Sequence, residues 1–216
     1  MLFQNKSVSH NTHIEIIHRA REFIHCGINA VTDHRRVLKA IRWERPNRGW
    51  IKLNTDGSSS GNPRPVGCGG ILRVDNGIWV CGFSKKIGTT TSFVAELWAV
   101  REGLSLCLQR NFPAVVLELD AKSIFEVLVN PNQANNIISA ILDDCRQMMI
   151  QIPQIRVRHC YREANRCANK LARMGVQQLV DFCLYEDSPQ ELHPDLDFDN
   201  FGSYVNRRCP ESLSFV

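Results

Sequence analysis

The order of strand and helix patterns along the 216 residues predicts an α/β fold with a mixed sheet. Three observations support this prediction: three strand patterns follow one another from residue 50, an apolar run at 114–120 lies between helical patterns, and a strand pattern at 154–161 precedes a last helix. Strands joined by tight turns pair antiparallel, whereas strands separated by a helix usually pair parallel. The sequence therefore predicts both kinds of pairing in one sheet flanked by helices.

The first three strands are predicted over 50–57, 67–74 and 78–87, with Asp75-Asn76-Gly77 as the turn between the last two. The first strand alternates between two faces: Ile51, Leu53 and Thr55 on one, and Lys52, Asn54 and Asp56 on the other. We therefore expect the side chain of Asp56 to point away from the apolar face.

A helix over 92–110 follows the capping stretch Thr89-Thr90-Thr91-Ser92. The apolar run at 114–120 predicts a buried parallel strand. The later elements are helices over 121–130 and 134–150, a strand over 154–161, and a helix over 163–175 that ends near Gly175. The order is βββαβαβα with one extra helix.

The N-terminal stretch differs from this middle part. Residues 9–42 combine apolar and basic residues at helical spacing, which predicts one or two helices. Its five histidines lack an accompanying set of acidic or cysteine partners, so we interpret them as surface residues rather than metal ligands. They are His10, His13, His18, His25 and His34.

After Val176 the pattern decays into acidic sequence, which predicts a poorly ordered tail. The alternative is a short segment that packs on the domain through apolar residues: Leu179, Phe182, Leu184 and Leu196. We therefore divide the chain into an N-terminal helical or linker extension (1–48), an α/β domain (49–176) and an acidic C-terminal tail (177–216).

Charge is unevenly distributed among these three parts. The net charge is +5 in residues 1–48 (nine Lys/Arg, four Asp/Glu), +5 in 49–176 (fifteen and ten) and −6 in 177–216 (two and eight). A basic domain is compatible with a phosphate-rich partner, although a solvated surface of mixed charge explains any single cation equally well.

Composition also narrows the class of protein. No run approaches the roughly 18–20 apolar residues that a membrane-spanning helix needs, and the N-terminus lacks a signal peptide's apolar stretch. We expect an intracellular protein without a membrane partner; the sequence does not distinguish nucleus from cytoplasm. Several of the nine cysteines lie in apolar segments (Cys68, Cys81, Cys107 and Cys160), and we interpret them as reduced core residues rather than zinc ligands or disulfides.

Three acidic residues, Asp56, Glu96 and Asp120, each lie beside an apolar segment. Taken singly, Asp56 could be a turn residue, Glu96 an exposed helix residue and Asp120 a helix N-cap. Brought together, three carboxylates bind a divalent metal ion. A fourth position, where a further acid would complete the pattern, carries the neutral Asn169.

Several motifs occur together in a familiar order. They are Asn54-Thr55-Asp56-Gly57-Ser58 with Gly61-Asn62-Pro63, Ala95-Glu96-Leu97, Leu119-Asp120, and Tyr161-Arg162-Glu163-Ala164-Asn165 with Ala168-Asn169. On these motifs the chain resembles a type 1 ribonuclease H domain of the plant, retrotransposon-derived kind. The resemblance covers roughly residues 49–176 and implies a five-stranded mixed sheet with the first strand near its middle.

The resemblance implies a metal-dependent endonuclease that hydrolyses the RNA strand of an RNA–DNA hybrid without a covalent intermediate or an organic cofactor. The implied cofactor is a pair of Mg²⁺ ions, with Mn²⁺ as a substitute. Asp56 would bridge both ions, Glu96 and Asp120 would complete the ligand shells, and Asn169 would help to hold the second ion. Because Asn169 lacks a charge, we expect weakened metal binding at one site.

The resemblance also assigns nucleic-acid contacts to four residues, Gly57, Ser58, Asn62 and Thr91. We interpret His159 as structural, and the acids that match no motif as surface residues: Glu102, Glu118 and Glu126. An alternative function is a nucleic-acid-binding module of the same fold in which Asn169 has impaired catalysis.

Overall fold

The structure is a computed structural model that describes residues 36–59, 64–130 and 139–210. Residues Val37–Cys209 form one unit, and the second unit (1–36 with 210–216) contains only Arg36 and Pro210 of the described residues. The predictions for the helices and histidines before residue 36, for Asn62, and for the beginning of the 134–150 helix lie outside the described residues.

The elements from the second strand to the fourth helix follow the predicted order. In chain order the structure contains β1 (Arg36–Ile41), β2 (Ile51–Ser59), β3 (Arg64–Arg73), β4 (Trp79–Thr90), α1 (Ser92–Gln109), β5 (Ala114–Leu119), α2 (Lys122–Val129), α3 (Ser139–Gln151), β6 (Gln154–His159), a 3₁₀ turn (Arg162–Ala164), α4 (Arg166–Gln177), β7 (Phe182–Tyr185), a 3₁₀ turn (Gln190–Leu192), α5 (His193–Asn200) and β8 (Val205–Pro210).

The main sheet has the strand order β6-β5-β2-β3-β4-β7 within the described residues. β2 pairs antiparallel with β3 and parallel with β5, and β5 pairs parallel with β6, which confirms the mixed α/β sheet with β2 near its middle. The predicted number of five strands is wrong, because β7 pairs antiparallel with β4 and adds a sixth.

Helices cover both faces of this sheet. One core cluster joins the sheet to α1, α2 and α3 through residues such as Leu53, Leu104 and Leu117. A second, smaller cluster joins β3 to α4, α5 and the 3₁₀ turn before α5: Ile71, Cys167, Ala168, Leu171, Leu192 and Leu196. β2 is therefore buried on both faces at once, including Asp56, which is only 2% exposed.

Helix α4 lies unusually close to the sheet because glycines face each other there. A Cβ atom built on Gly69 of β3 would lie 2.5 Å from the backbone nitrogen of Ala172. One built on Gly175 of α4 would lie 2.6 Å from the carbonyl oxygen of Lys85. Side chains at these positions would force the helix away from the sheet, and with it the end of α4 that carries Asn169.

The C-terminal part of the chain is packed on the domain, so the expectation of a poorly ordered tail is wrong for residues 182–210. Arg73 is 1% exposed, and its Nη1 donates to Asp199 Oδ2 at 2.8 Å. Arg110 donates to both carboxylate oxygens of Glu186, at 2.6 and 2.7 Å. The acidic segment thus binds the basic body of the chain. Leu196 packs into the second core cluster as the alternative prediction proposed, whereas Leu179, Phe182 and Leu184 are exposed.

The predicted helix over residues 9–42 is wrong at its C-terminal end, because Arg36–Ile41 is the strand β1. β1 forms a two-stranded sheet with β8. A strand of six residues gains its hydrogen bonds from its partner, and this partner lies about 165 residues further along the chain. Local periodicity contains no information about such a pairing.

The polar face of β2 carries a buried row of interacting side chains. Lys52 Nζ donates to Glu118 Oε1 at 2.6 Å, and the Nε1 of Trp43 donates to Asn54 Oδ1 at 3.0 Å. The guanidinium of Arg73 lies 3.6 Å from the centroid of the Trp43 ring. Glu118 is therefore a buried ion-pair partner rather than a surface residue.

Glu102 also differs from its prediction as a surface residue, because its side chain is 13% exposed and its carboxylate accepts hydrogen bonds from Lys85 and Arg101. The cysteines that the structure describes are free thiols; Cys68, Cys81 and Cys107 are buried as predicted, and Cys160 is half-buried. Within the described ranges, no helix is long and apolar enough to span a bilayer.

Replacing Asp199 by Ala should lower the free energy of unfolding by about 3–5 kcal/mol, because it leaves the buried Arg73 without its anionic partner. Chemical denaturation at neutral pH measures this effect. The matched control is Asp197→Ala on the same helix, which removes an exposed carboxylate and should cost less than about 0.5 kcal/mol. Equal effects of the two substitutions would show that the Arg73–Asp199 pair does not hold the C-terminal segment.

Candidate active site

The three predicted acidic residues meet at one edge of the sheet. Asp56 lies near the C-terminal end of β2, Asp120 directly follows the neighbouring parallel strand β5, and Glu96 lies in the first turns of α1. One carboxylate oxygen from each lies within 4.8 Å of the others. Parallel strands end at the same edge of a sheet, which is where α/β folds bind ligands.

Gly57 brings Glu96 to the strand that carries Asp56. A Cβ atom on Gly57 would lie 2.5 Å from the backbone nitrogen of Glu96 and 2.7 Å from the carbonyl carbon of Ala95. Any other residue at this position would therefore push the first turn of α1 away from β2. The Thr-Asp-Gly sequence thus has a packing role in addition to the nucleic-acid contact predicted for Gly57.

The environment of Asp56 opposes its negative charge. Burial, then the charge of Asp120 and a hydrogen bond with the Asp120 carboxyl group, raise the pKa of Asp56 well above its ordinary value. The hydrogen bond from Asn169 and the positive charge of Arg162 lower the pKa by smaller amounts. Asp56 therefore holds a proton more tightly than an exposed aspartate does.

The environment of Glu96 also opposes a negative charge. Burial is the largest cause that raises its pKa well above the ordinary value, followed by the charges of Asp56 and Asp120, whereas a hydrogen bond from the Gly57 backbone and the charge of Arg162 lower it. Its Oε2 atom is buried without a hydrogen-bond partner among the described residues. A buried carboxylate oxygen without a partner beside two further carboxylates fits a hard divalent cation, which prefers oxygen ligands.

The structure decides between the alternatives considered for the single acids. Asp56 lies within a strand and not in a turn. The N-cap of α2 is Ala121 rather than Asp120, and no side chain caps this helix. Glu96 has a buried carboxylate oxygen and is not an ordinary exposed helix residue. The three residues therefore form one site.

Two asparagines connect α4 and the turn before it to β2. Asn169 Nδ2 donates to Asp56 Oδ2 at 3.0 Å, and the buried Asn165 donates through Nδ2 to the Thr55 carbonyl oxygen at 2.9 Å. Asn169 thus contacts the site through its amide donor rather than adding a carboxylate to it. Its predicted role as a metal ligand stays a prediction.

The residues predicted to contact nucleic acid lie around this site or outside the described residues. Ser58 follows Gly57 in β2 and is half-buried. Thr91 is the N-cap of α1, and its hydroxyl accepts a hydrogen bond from the Val94 backbone at 3.3 Å. These positions are compatible with the predicted contacts, which stay predictions.

A cavity of about 520 Å³ opens over the three carboxylates, and six residues that line it were not predicted as site residues: Ala121, His159, Cys160, Tyr161, Arg162 and Arg207. His159 Nε2 donates to the Asp120 carbonyl oxygen at 3.1 Å, which is a structural contact as predicted. The same side chain also lines the cavity over the acids. Arg207 comes from the predicted tail. The available sequence signal was that Arg207 and Arg208 are the tail's only cations.

Sequence comparison supports the resemblance. A family model described as reverse transcriptase-like matches residues 54–175, more than half of the chain. A protein of Arabidopsis thaliana, provisionally named a ribonuclease H protein, is 36% identical over 173 residues. The match covers 80% of this chain but only 28% of the relative, so the chain spans less than a third of that protein's length.

Comparison with solved structures supports the fold. The N-terminal ribonuclease H domain of a Mycobacterium tuberculosis protein superimposes with a TM-score of 0.57 at 21% identity, covering 59% of this chain and 94% of the domain. A ribonuclease H1 named LC11, solved in complex with an RNA/DNA hybrid, gives 0.54 at 24% identity, covering 59% and 96%. These matches, the ordered motifs and the six-stranded mixed sheet lead to one conclusion: the chain belongs to the reverse transcriptase-like family and has the ribonuclease H fold.

Proposed function

We propose that this chain is a divalent-metal-dependent endonuclease that cuts the RNA strand of RNA–DNA hybrids. The observation that carries the proposal is the cluster of Asp56, Glu96 and Asp120, whose carboxylate oxygens lie within 4.8 Å of one another in an open cavity. The solved complex of LC11 ribonuclease H1 with an RNA/DNA hybrid supports this class of substrate.

Asp56, Glu96 and Asp120 are the residues that would hold the cofactor. Two Mg²⁺ ions, or Mn²⁺ in their place, would supply a water activated near neutral pH and offset the charge that develops on the leaving oxygen. The carboxylate of Asp56 lies beside those of Glu96 and Asp120 and accepts a hydrogen bond from Asn169, so it would contribute to holding the ions.

The remaining residues of the site orient this carboxylate and the substrate. The amide of Asn169 fixes one oxygen of Asp56, and Asn165 fixes the adjacent Thr55 backbone. Arg162 contributes positive charge that acts on both Asp56 and Glu96. His159 Nε2 donates to the Asp120 carbonyl oxygen, which holds the imidazole ring beside the acids. The open cavity leaves room for a phosphodiester above the acids.

A second candidate function is a nucleic-acid-binding module with impaired hydrolysis. The observation that favours it is the hydrogen bond from Asn169 to Asp56, because an amide donor occupies an oxygen lone pair that would otherwise be available to a cation. The three intact carboxylates favour the endonuclease.

The full chain should cleave the labelled RNA strand of an RNA–DNA hybrid in Mg²⁺ or Mn²⁺, leaving 3′-hydroxyl and 5′-phosphate ends, and should spare duplex DNA. Gel analysis of the products across a metal titration measures this activity. Asp56→Asn should abolish cleavage, because it removes the carboxylate shared by the site. Hybrid binding without cleavage at any metal concentration would instead support the binding module.

Asn169→Asp should lower the Mg²⁺ concentration for half-maximal cleavage by about tenfold or more. Two unit charges at 4 Å attract by roughly 4 kcal/mol at an effective dielectric of about 20, so even part of this energy is measurable. The matched control is Asn76→Asp, which adds the same charge in the exposed turn after β3, whereas Asp56 pairs with Gly69 in the middle of that strand. An unchanged Mg²⁺ dependence for Asn169→Asp would contradict the assigned role of position 169.

In the absence of metal, Asp56→Asn should raise the thermal midpoint at pH values above the raised pKa of Asp56. A carboxyl whose pKa is higher in the folded than in the unfolded protein stabilises the fold at low pH, and this stabilisation is lost as the pH rises through the folded pKa. Asparagine does not ionise, so it removes the cost of a buried charge and its repulsion by Asp120, and each kcal/mol gained should appear as a rise of about 2–4 °C.

Thermal melts in a chelator from acidic to alkaline pH measure this difference, which should shrink towards acidic pH. Added Mg²⁺ should then stabilise the unsubstituted chain more strongly as the pH rises, because the ion displaces protons from the acids. The exposed Asp197→Asn serves as control. A gain for Asp56→Asn that does not depend on pH would contradict the ionisation of the buried Asp56 as its cause.

A further inference from the structure

A second cavity of about 530 Å³ lies beside the acidic site. Five cationic residues line it, and we refer to them together as the basic groove: Arg162, Arg166, Lys170, Arg173 and Arg207. Asn169, Val205 and two acids, Glu163 and Asp195, complete its lining. The proposed active site uses Arg162 and Asn169 but leaves the rest of this groove unexplained.

The acids in the basic groove are already paired. Asp195 accepts from Arg166 at 2.8 Å and from Lys170 at 3.2 Å. Within residues 36–59, 64–130 and 139–210, neither Arg162 nor Arg173 has a carboxylate within 4.0 Å, and both are exposed. With five cations against two acids, the groove keeps an excess of positive charge that faces solvent.

Arg207 is held in place rather than free in solvent. Its Nη1 donates to both carboxylate oxygens of Glu163, at 2.9 and 3.0 Å, and its guanidinium lies 5.0 Å from the centroid of the Tyr161 ring. Arg207 belongs to β8, which lies outside the residues 54–175 that match the family model. The C-terminal segment therefore adds a positioned cation to the domain.

The basic groove is continuous with the acidic site. Arg162 and Arg207 line both cavities, and Asn169 lines the groove while its amide reaches Asp56. A strand whose scissile phosphate lies over Asp56 can therefore continue past these residues into the groove. The shared lining favours a polymer that occupies both cavities over a small anion that binds in the groove alone.

The remaining cations have a spacing that suits a polymer of phosphates. Arg166, Lys170 and Arg173 follow each other at i, i+4 and i+7 on one side of α4, a separation of about 10 Å along the helix axis. A nucleic-acid strand presents a regular row of phosphates, so a row of cations can meet more than one phosphate of the same strand. Guanidinium groups match phosphate oxygens in charge and in planar geometry.

We propose that the basic groove binds the phosphodiester backbone of the nucleic-acid strand on one side of the cleavage point, with Arg207 and Arg173 as positioning residues. This inference extends the proposed function and rests on it for the identity of the bound strand. Phosphate contacts of this kind fix the register of a duplex without reading its sequence. The groove should therefore strengthen binding uniformly across sequences.

The experiment measures equilibrium binding of a short labelled RNA–DNA hybrid to the full chain in a chelator, over a series of salt concentrations. Arg207→Gln and Arg173→Gln should each lower the affinity about tenfold at low salt. Each should also reduce the slope of log affinity against log salt by about 0.7–0.9, the value for one lost phosphate contact. In cleavage assays both should raise KM with little change in kcat, because these contacts bind substrate and transition state alike.

The matched control for Arg207→Gln is Arg110→Gln. Arg110 also donates to both oxygens of a glutamate, Glu186, but it caps the far end of α1, about 21 Å along the helix axis from Glu96. It should leave affinity and salt slope unchanged. Arg173 has no ion pair among the described residues, so its substitution tests the groove without breaking a contact of the fold, and matching thermal midpoints check folding.

The two proposals fail in different ways. Cleavage with unchanged binding and salt slope in both groove variants would overturn the groove and leave the endonuclease intact. Groove-dependent binding without cleavage at any metal concentration would overturn the endonuclease and retain the groove as a nucleic-acid surface. Equal losses for Arg207→Gln, Arg173→Gln and Arg110→Gln would show only a general effect of charge and would also overturn the groove.

Discussion

Repulsion among three neighbouring carboxylates is the constraint on which the rest of the site depends. No attractive contact between Asp56, Glu96 and Asp120 can hold them together when they are ionised, so the backbone has to do it. The parallel pairing of β2 with β5 fixes two of them, and the close approach of α1 to Gly57 fixes the third. The hydrogen bonds of Asn165 and Asn169 then lock α4 against the same strand.

The buried cations near β2 do not neutralise the three acids of the site, because each is paired with another carboxylate. Lys52 lies on the same face of β2 as Asp56, but it is paired with Glu118. Arg73 is paired with Asp199 and stacked on Trp43. Because each of these cations has its own anion, the charge of the acidic site stays available to a cation from solvent. The Lys52–Glu118 and Arg73–Asp199 ion pairs thus stabilise the fold and also leave the negative charge of the acidic site unpaired.

Most elements could be predicted from local sequence patterns, and the acidic cluster from the resemblance of the ordered motifs around Asp56, Glu96 and Asp120. Alternation defines β2, and the turn at Asn76-Gly77 forms as predicted, with Gly77 at a φ of +87°. The C-terminal segment could not be predicted in this way. β7, α5 and β8 are short, and they are stabilised by distant partners such as Arg73 rather than by their own periodicity. The position of Arg207 at the site follows from that long-range packing.

The sixth strand also has a practical consequence for where the domain ends. The family match stops at residue 175, but β7 covers the backbone edge of β4, which would otherwise be open to pairing with another chain. Removal of everything after α4 would expose that edge and leave Arg73 buried without an anion. The part of the chain that packs as one unit therefore extends to Cys209, about 34 residues beyond the end of the family match.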